Sequence, residues 1–131
     1  MEGIGIVRYG RGQPGGVIDF YEMARVMARS KIGLGINERP DGIVHLTARA
    51  FEITASRSML LHQYTPGLDE FFRPGKEMVV FRTKEEMAGL IKYYLENDEE
   101  RLKIADAGYE RTLQDHTWTK RFKDIFAEVE K

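Results

Sequence analysis

The chain alternates between short apolar segments and longer segments with helical periodicity, and this alternation limits the folds open to it. Strand-like runs lie at residues 4–9, 31–36, 59–64 and 78–82. Between and after them, apolar residues recur at i, i+3, i+4 and i+7, which is typical of helices with one buried face. Strands separated by helices form parallel sheets that are covered on both sides. We therefore predict an α/β fold with an open, mainly parallel sheet flanked by helices.

The predicted helices have recognisable first residues. Asp19 can cap a helix at residues 20–30, and Thr47 one that ends near Ala55. Three further helices close the chain and give it a helical C-terminus. They begin at the capping box Thr83-Lys-Glu-Glu86, at Asp98 and after Thr117.

Composition excludes several classes of protein. The 131 residues include no cysteine, and 20 basic side chains face 21 acidic ones, for a net charge of −1. A disulfide framework, a thiolate metal site and a cysteine nucleophile are therefore ruled out. No apolar run approaches the ~18 residues of a membrane-spanning helix. There is also no dense basic stripe of the kind that nucleic acid binding requires. We expect one cytoplasmic domain over residues 1–131, without a cofactor.

The three histidines do not indicate a metal site. No two of His45, His62 and His116 are four residues apart, so no helix face holds two imidazoles. His62 lies in a predicted strand and fits a hydrogen-bonded interior position better than a catalytic one. His116 precedes the last helix, where we expect a structural role.

The stretch Gly10–Gly15 matches the pattern GxGxxG after an apparent strand, but we reject a dinucleotide fingerprint. That fingerprint needs a helix to begin within the motif, and Pro14-Gly15-Gly16 would interrupt it. The acidic residue expected about 20 positions later would be Glu38, which lies in a loop and not at a strand end. A flexible glycine loop is the better interpretation.

Ligands of open α/β sheets bind beyond the carboxyl ends of the strands, so the loops after residues 9, 36, 64 and 82 are candidate sites. The most informative side chains there are Arg49 and Glu52, in the helix near Thr47. Arg49 could pair with phosphate oxygens beside the helix amides, and Glu52 could accept hydrogen bonds from both hydroxyls of a ribose. The alternative is a surface i,i+3 ion pair worth a few tenths of a kcal/mol, which spacing alone slightly favours.

Six blocks occur in an order and spacing that match a known pattern, and the likeness covers roughly residues 17 to 122. They are Arg49-Ala-Phe-Glu-Ile53, Met59-Leu-Leu-His-Gln-Tyr64, Gly67-Leu-Asp-Glu-Phe-Phe-Arg-Pro-Gly-Lys-Glu77, Val80-Phe81, Tyr93-Tyr-Leu95 and His116-Thr-Trp118. Together they resemble the C-terminal portion of group 1 glycosyltransferases, in the branch that includes spore-maturation-type proteins. The resemblance implies enzymes of two Rossmann-like domains, in which the C-terminal domain holds the nucleotide-sugar donor and the N-terminal domain holds the acceptor.

The resemblance also implies roles for individual residues. Glu52 takes the place of the glutamate that holds the donor ribose. Arg49 and the backbone at Thr47 and Ala48 lie where the diphosphate is approached. The expected ligand is therefore a nucleoside-diphosphate sugar, and no residue stands out as a general base.

Two further residues, Thr65 and Gly67, would border the sugar pocket by the same resemblance. Asp69 and Glu70 follow in the first turn of a short helical segment. Because these carboxylates already compensate the helix dipole, they argue against a phosphate at that turn.

Two features depart from the family pattern. Ser56-Arg-Ser58 stands where the family usually has a glycine-containing turn, so Arg57 either fills space or adds a cation for the donor phosphates. The chain also resembles a donor domain only from about its third strand. We therefore expect it to be inactive alone. We also expect it either to rearrange residues 4–9 or to pair with a second copy through exposed sheet edges.

Two other functions remain open. The first is a non-catalytic protein-interaction module that keeps the α/β fold and uses its basic front loops or its aromatic last helix. The second, a regulatory receiver, fits less well, because residues 8–16 lack the clustered acidic side chains it needs.

Overall fold

The computed structural model describes residues 3–36, 39–43 and 45–131. Glu38, rejected above as a ribose ligand, lies outside the described residues. The elements in chain order are α1 (Phe20–Arg29), β1 (Ile32–Gly35), α2 (Ala48–Ala55), β2 (Met59–Gln63), a 3-10 turn (Leu68–Glu70), β3 (Val79–Phe81), α3 (Lys84–Glu96), α4 (Asp98–Asp115) and α5 (Trp118–Val129).

The described strands form one parallel sheet in the order β1-β2-β3, which confirms the predicted α/β class. Strand β2 is central, and its residues Met59, Leu60 and Leu61 are fully buried. A strand buried on both faces reads as a continuous apolar run without polar alternation, which is the pattern of this segment.

The two faces of the sheet carry separate cores. On one face, Met59 and Leu61 pack with residues of α3 and α4, including Ile91 and Ile104. On the other, Leu60 packs with α2 and with the segment after β2. The buried members of this second cluster are Ala50, Ile53, Leu60, Leu68, Phe72 and Met78. Alternate residues of β2 therefore pack against the helices on opposite faces of the sheet.

The prediction of a strand at residues 4–9 is wrong. These residues form no strand, and Ile6 and Val7 are exposed. Instead, the chain closes a loop through hydrogen bonds from Gly10 N to Gly16 O (2.7 Å) and from Gly15 N to Arg8 O (3.0 Å). β-branched composition favours a strand only when a neighbouring strand supplies hydrogen bonds, and none of the described strands pairs with this segment.

The predicted helix caps are confirmed. The side chains of Asp19, Thr83 and Thr117 each accept a hydrogen bond from the backbone N–H three residues later. In the capping box, the Glu86 carboxylate accepts from the N–H of Arg82 (2.8 Å), one residue before the cap. Thr47 makes no side-chain cap hydrogen bond, although it is the N-cap of α2.

Helix α4 crosses the end of the sheet at which the parallel strands begin, here called the amino edge. Its first residue, Asp98, lies 3.6 Å from Lys31, which precedes β1. Tyr109 stacks against Arg57, which precedes β2. At Gly108, a Cβ atom would lie 2.5 Å from the carbonyl oxygen of Glu77, which precedes β3. The strands end at the opposite side of the sheet, here called the carboxyl edge.

Candidate functional site

The start of α2 lies toward the carboxyl edge, because the other end of this helix, Ala55, leads directly into the start of β2 at the amino edge. Thr47 has an extended backbone, and the first helical turn of Ala48 and Arg49 contains no acidic residue. Arg49 is exposed and makes no hydrogen bond or ion pair within the described residues. The first amides of a helix carry partial positive charge, so this turn and its guanidinium favour an anion.

Glu52 lies one turn further along α2 and is half-buried. Its carboxylate forms no ion pair with Arg49 and no hydrogen bond to any described residue, whereas its backbone carbonyl accepts from Ser56 Oγ at 2.8 Å. The alternative of an i,i+3 surface ion pair is therefore wrong. A half-buried carboxylate without a partner is available to accept hydrogen bonds from a ligand.

Thr65 and Gly67 follow β2 at the same edge. Thr65 is buried, and its carbonyl accepts from Leu68 N at 3.3 Å. Gly67 has φ 84°, a left-handed conformation that favours glycine, and it begins the 3-10 turn. The carboxylates of Asp69 and Glu70 are in the first turn, as expected. The topology therefore brings the predicted diphosphate and sugar residues to neighbouring strand ends.

His62 is an interior residue near the carboxyl end of β2, as the sequence favoured. Its ring is fully buried and lies so close to Gly35 that a Cβ there would be 2.2 Å from Cδ2. Nδ1 donates to the carbonyl of Gln63 at 2.6 Å, while Nε2 has no partner among the described residues. Burial lowers the pKa of His62, with the backbone hydrogen bond opposing it, so the ring is neutral near pH 7.

His116 has structural contacts at the junction of α4 and α5. Its Nε2 donates to Phe71 O at 2.7 Å, and Nδ1 accepts from Arg121 at 3.0 Å. The ring also packs against Phe51 and Phe72, with centroids 4.9 and 5.2 Å away. Burial lowers the pKa of His116, and the nearby arginines act in the same direction. His45, the third histidine, is exposed.

Arg57 does not face the candidate site. It precedes β2 and therefore lies at the amino edge, with its guanidinium carbon 4.1 Å from the centroid of Tyr109. Its φ of 59° is the one left-handed value among the described non-glycine residues. Of the two roles considered for Arg57, packing is supported and a contact with donor phosphates is not.

A pair of side chains at the carboxyl edge was not predicted from the sequence. Tyr64 directly follows β2, Arg82 directly follows β3, and the guanidinium carbon lies 3.6 Å from the ring centroid. The register aligns Gln63 with Phe81, so the residues that follow them, Tyr64 and Arg82, are also neighbours. The contact between these two side chains can therefore be predicted only from the register of β2 and β3.

Two surface concavities of the protein lie away from the candidate site. Two concavities of about 540 and 550 Å³ lie at the turn between α3 and α4 and beside Ile4, and neither includes Arg49 or Glu52. In the part of the chain that the structure describes, no group of three His, Asp or Glu side chains could hold a metal ion. Over the same residues, no helix has the length and apolar character to cross a membrane.

Comparison with known proteins identifies the family. The family described as glycosyl transferase-like matches residues 3–127, almost the whole chain. This chain belongs to that family. A search of curated proteins finds no match for the glycosyl transferase-like chain.

Two solved structures are similar to this glycosyl transferase-like domain. A sucrose-phosphate synthase from Thermosynechococcus elongatus matches with a TM-score of 0.71 and 15% identity, over 87% of this chain and 29% of that one. The C-terminal domain of a group 1 family glycosyl transferase from Francisella tularensis matches with a TM-score of 0.62 and 16% identity, over 78% of this chain and 51% of that one. At these identities the likeness supports the fold. The chain spans a third or less of the first structure and about half of the second.

Proposed function

We propose that residues 1–131 form one donor-binding domain that holds a nucleoside-diphosphate sugar for transfer to an acceptor. The observation that carries the proposal is the unpartnered, half-buried carboxylate of Glu52, one turn from an exposed arginine at the carboxyl edge. A carboxylate in this position can accept hydrogen bonds from the two hydroxyls of a ribose. Membership of the family supports the same ligand class.

Arg49 and the amides at Thr47 and Ala48 would bind the diphosphate, because a guanidinium and a helix N-terminus both stabilise oxyanions. During transfer, the diphosphate leaves the anomeric carbon as an anion, and the same groups would stabilise the charge that develops. Thr65 and Gly67 would border the sugar. The acceptor side and the general base lie outside this set of residues. Assignment to the spore-maturation-type branch stays a prediction.

Isothermal titration of the full chain with uridine, guanosine and adenosine diphosphates tests the proposal. We expect one of them to bind, and Glu52→Gln to weaken it roughly ten- to a hundredfold, as expected for one or two hydrogen bonds to a charged group. Glu110→Gln is the matched control, because Glu110 is an exposed carboxylate of α4 that has no hydrogen bond or ion pair among the described residues. Equal affinity in both variants would contradict the proposal.

A non-catalytic interaction module is the second candidate, and helix α5 favours it. No residue of α5 is buried, and Trp118, Phe122 and Phe126 form an exposed row with ring centroids 6.0 and 6.3 Å apart. An exposed apolar row of this kind is typical of a surface that binds another polypeptide. Absence of heat with every nucleotide would favour this candidate over donor binding.

A further inference from the structure

The pair formed by Tyr64 and Arg82 presents a stacked cation at the carboxyl edge. Arg82 is exposed, Tyr64 is 40% exposed, and the guanidinium lies over the ring at 3.6 Å. An exposed arginine normally samples many rotamers. Stacking on an aromatic face favours one orientation of the guanidinium before any ligand arrives.

Stacking occupies the face of the guanidinium and leaves its N–H groups, which lie in the plane, free to donate. Within the described residues these groups make no hydrogen bond or ion pair. The nearby Glu86 carboxylate accepts from the backbone N–H of Arg82 (2.8 Å) and does not pair with the side chain. Arg82 therefore presents a planar set of donors that matches the two oxygens of a carboxylate or phosphate.

Stacking alone does not indicate a site, as Arg57 demonstrates. Arg57 lies over Tyr109 at 4.1 Å in a similar arrangement, but at the amino edge that α4 crosses. The two arginines differ in which end of the sheet they occupy. Only Arg82 lies at the edge where ligands of parallel sheets bind.

We propose that Arg82, oriented by Tyr64, binds an oxyanion of the ligand at the carboxyl edge. This inference rests on the proposed function. Two sources can supply the oxyanion: the diphosphate of the donor, or an acidic group on its sugar. Strand β3 is two strands from β1, about 10 Å away, and the end of β2 with Thr65 and Gly67 lies between them. A diphosphate at the start of α2 thus lies on the β1 side, and Arg82 is placed to meet a carboxylate on the far side of the sugar.

Nuclear magnetic resonance titration of the full 131-residue chain tests the inference without knowledge of the nucleotide base. The probes are inorganic pyrophosphate, glucose 1-phosphate and glucuronic acid 1-phosphate at matched ionic strength, and the readout is the Arg82 Nε–Hε signal together with the backbone amides. We expect glucuronic acid 1-phosphate to bind at least about tenfold more tightly than glucose 1-phosphate, as one charge-assisted hydrogen bond would provide.

Variants separate Arg82 from general electrostatics. Arg82→Gln should reduce the preference for the acidic sugar to about one, and Tyr64→Leu should reduce it severalfold because the guanidinium loses its orientation. Arg57→Gln removes a stacked arginine from the amino edge and should leave the preference unchanged. If Arg82→Gln instead weakens pyrophosphate and both sugar phosphates equally, the oxyanion is the diphosphate and the oxyanion site stands.

Other results overturn the inference. These are equal affinities for the two sugar phosphates with no effect of Arg82→Gln on any probe, or no binding of any probe. The proposed function fails on a different result, namely that nucleoside diphosphates bind Glu52→Gln as tightly as the unmodified chain. The Arg82 measurements use other ligands and are independent of that result.

Discussion

Arg57 has a backbone conformation that residues other than glycine rarely adopt. Its φ of 59° lies in the left-handed region, which costs a non-glycine residue roughly 1–2 kcal/mol. The contact of its guanidinium with Tyr109 offsets part of that cost, because an exposed cation–π pair contributes about 0.5–1 kcal/mol. The turn before β2 thus keeps its shape without the glycine of the family pattern.

Substitution of Arg57 tests this balance. We expect Arg57→Ala to lower the free energy of unfolding by about 0.5–1 kcal/mol, since it keeps the strain and loses the contact with the ring. Arg57→Gly loses the same contact but relieves the strain, so it should be more stable than Arg57→Ala by about 1 kcal/mol. Urea denaturation of both variants gives the comparison. An alanine variant at least as stable as the glycine variant would contradict the account.

Buried His62 and partly buried His116 make stability depend on pH. Burial lowers the pKa of His62 and of His116 below the ordinary value of 6.5, so the unfolded chain binds more protons than the folded one just below that pH. The free energy of unfolding should therefore fall as pH is lowered from 7.5 to 5.5. His116→Gln should reduce this fall. Parallel pH curves for the unmodified chain and His116→Gln would refute the assignment.

The glycines of α3 and α4 have opposite roles. A Cβ at Gly108 would lie 2.5 Å from the carbonyl oxygen of Glu77, a backbone atom that cannot move aside freely. Gly89 is exposed in α3, and a Cβ there would meet nothing within 4 Å. Only the first glycine is required, because α4 must approach the segment before β3 closely.

Alanine at each position tests this difference. Gly108→Ala should lower the free energy of unfolding by roughly 1–3 kcal/mol, since it overpacks the contact between α4 and the segment before β3. Gly89→Ala should raise it by about 0.5–1 kcal/mol, since alanine loses less backbone entropy in a helix interior. Thermal and urea denaturation of both variants measure the effect. Destabilisation by Gly89→Ala as large as that by Gly108→Ala would contradict the packing argument.

Some elements of the fold are predictable from the sequence and others are not. The helices and the three described strands were predictable because their apolar periodicity and caps are local signals. Residues 4–9 have the composition of a strand, but a strand also needs a partner, which no local pattern supplies. In the candidate site, three-residue spacing allowed Arg49 and Glu52 either to pair or to stay apart. The contact between Tyr64 and Arg82 depends on the register of β2 and β3, which follows from packing of the whole sheet.

Strand β1 is an outer strand of the described sheet. It pairs with β2 on one side, and no described strand pairs with its other side. The bond from Met59 N to Lys31 O (3.3 Å) and the register place the N–H groups of Gly33 and Gly35 toward β2. Those of Ile32 and Leu34 point outward, because alternate residues of a parallel strand bond to opposite sides. An edge of this kind is a template for another strand.

We therefore predict that a second copy covers the outer edge of β1. Sedimentation should then give twice the chain mass of 15.1 kDa, and the amides of Ile32 and Leu34 should exchange as slowly as those of Gly33 and Gly35. In a monomer, the inward and outward amides should differ strongly, since only the inward ones are hydrogen-bonded in the sheet. Diluting the chain across the dissociation constant should release Ile32 and Leu34 alone. A monomeric mass with fast exchange at these two amides at every concentration would exclude pairing through β1.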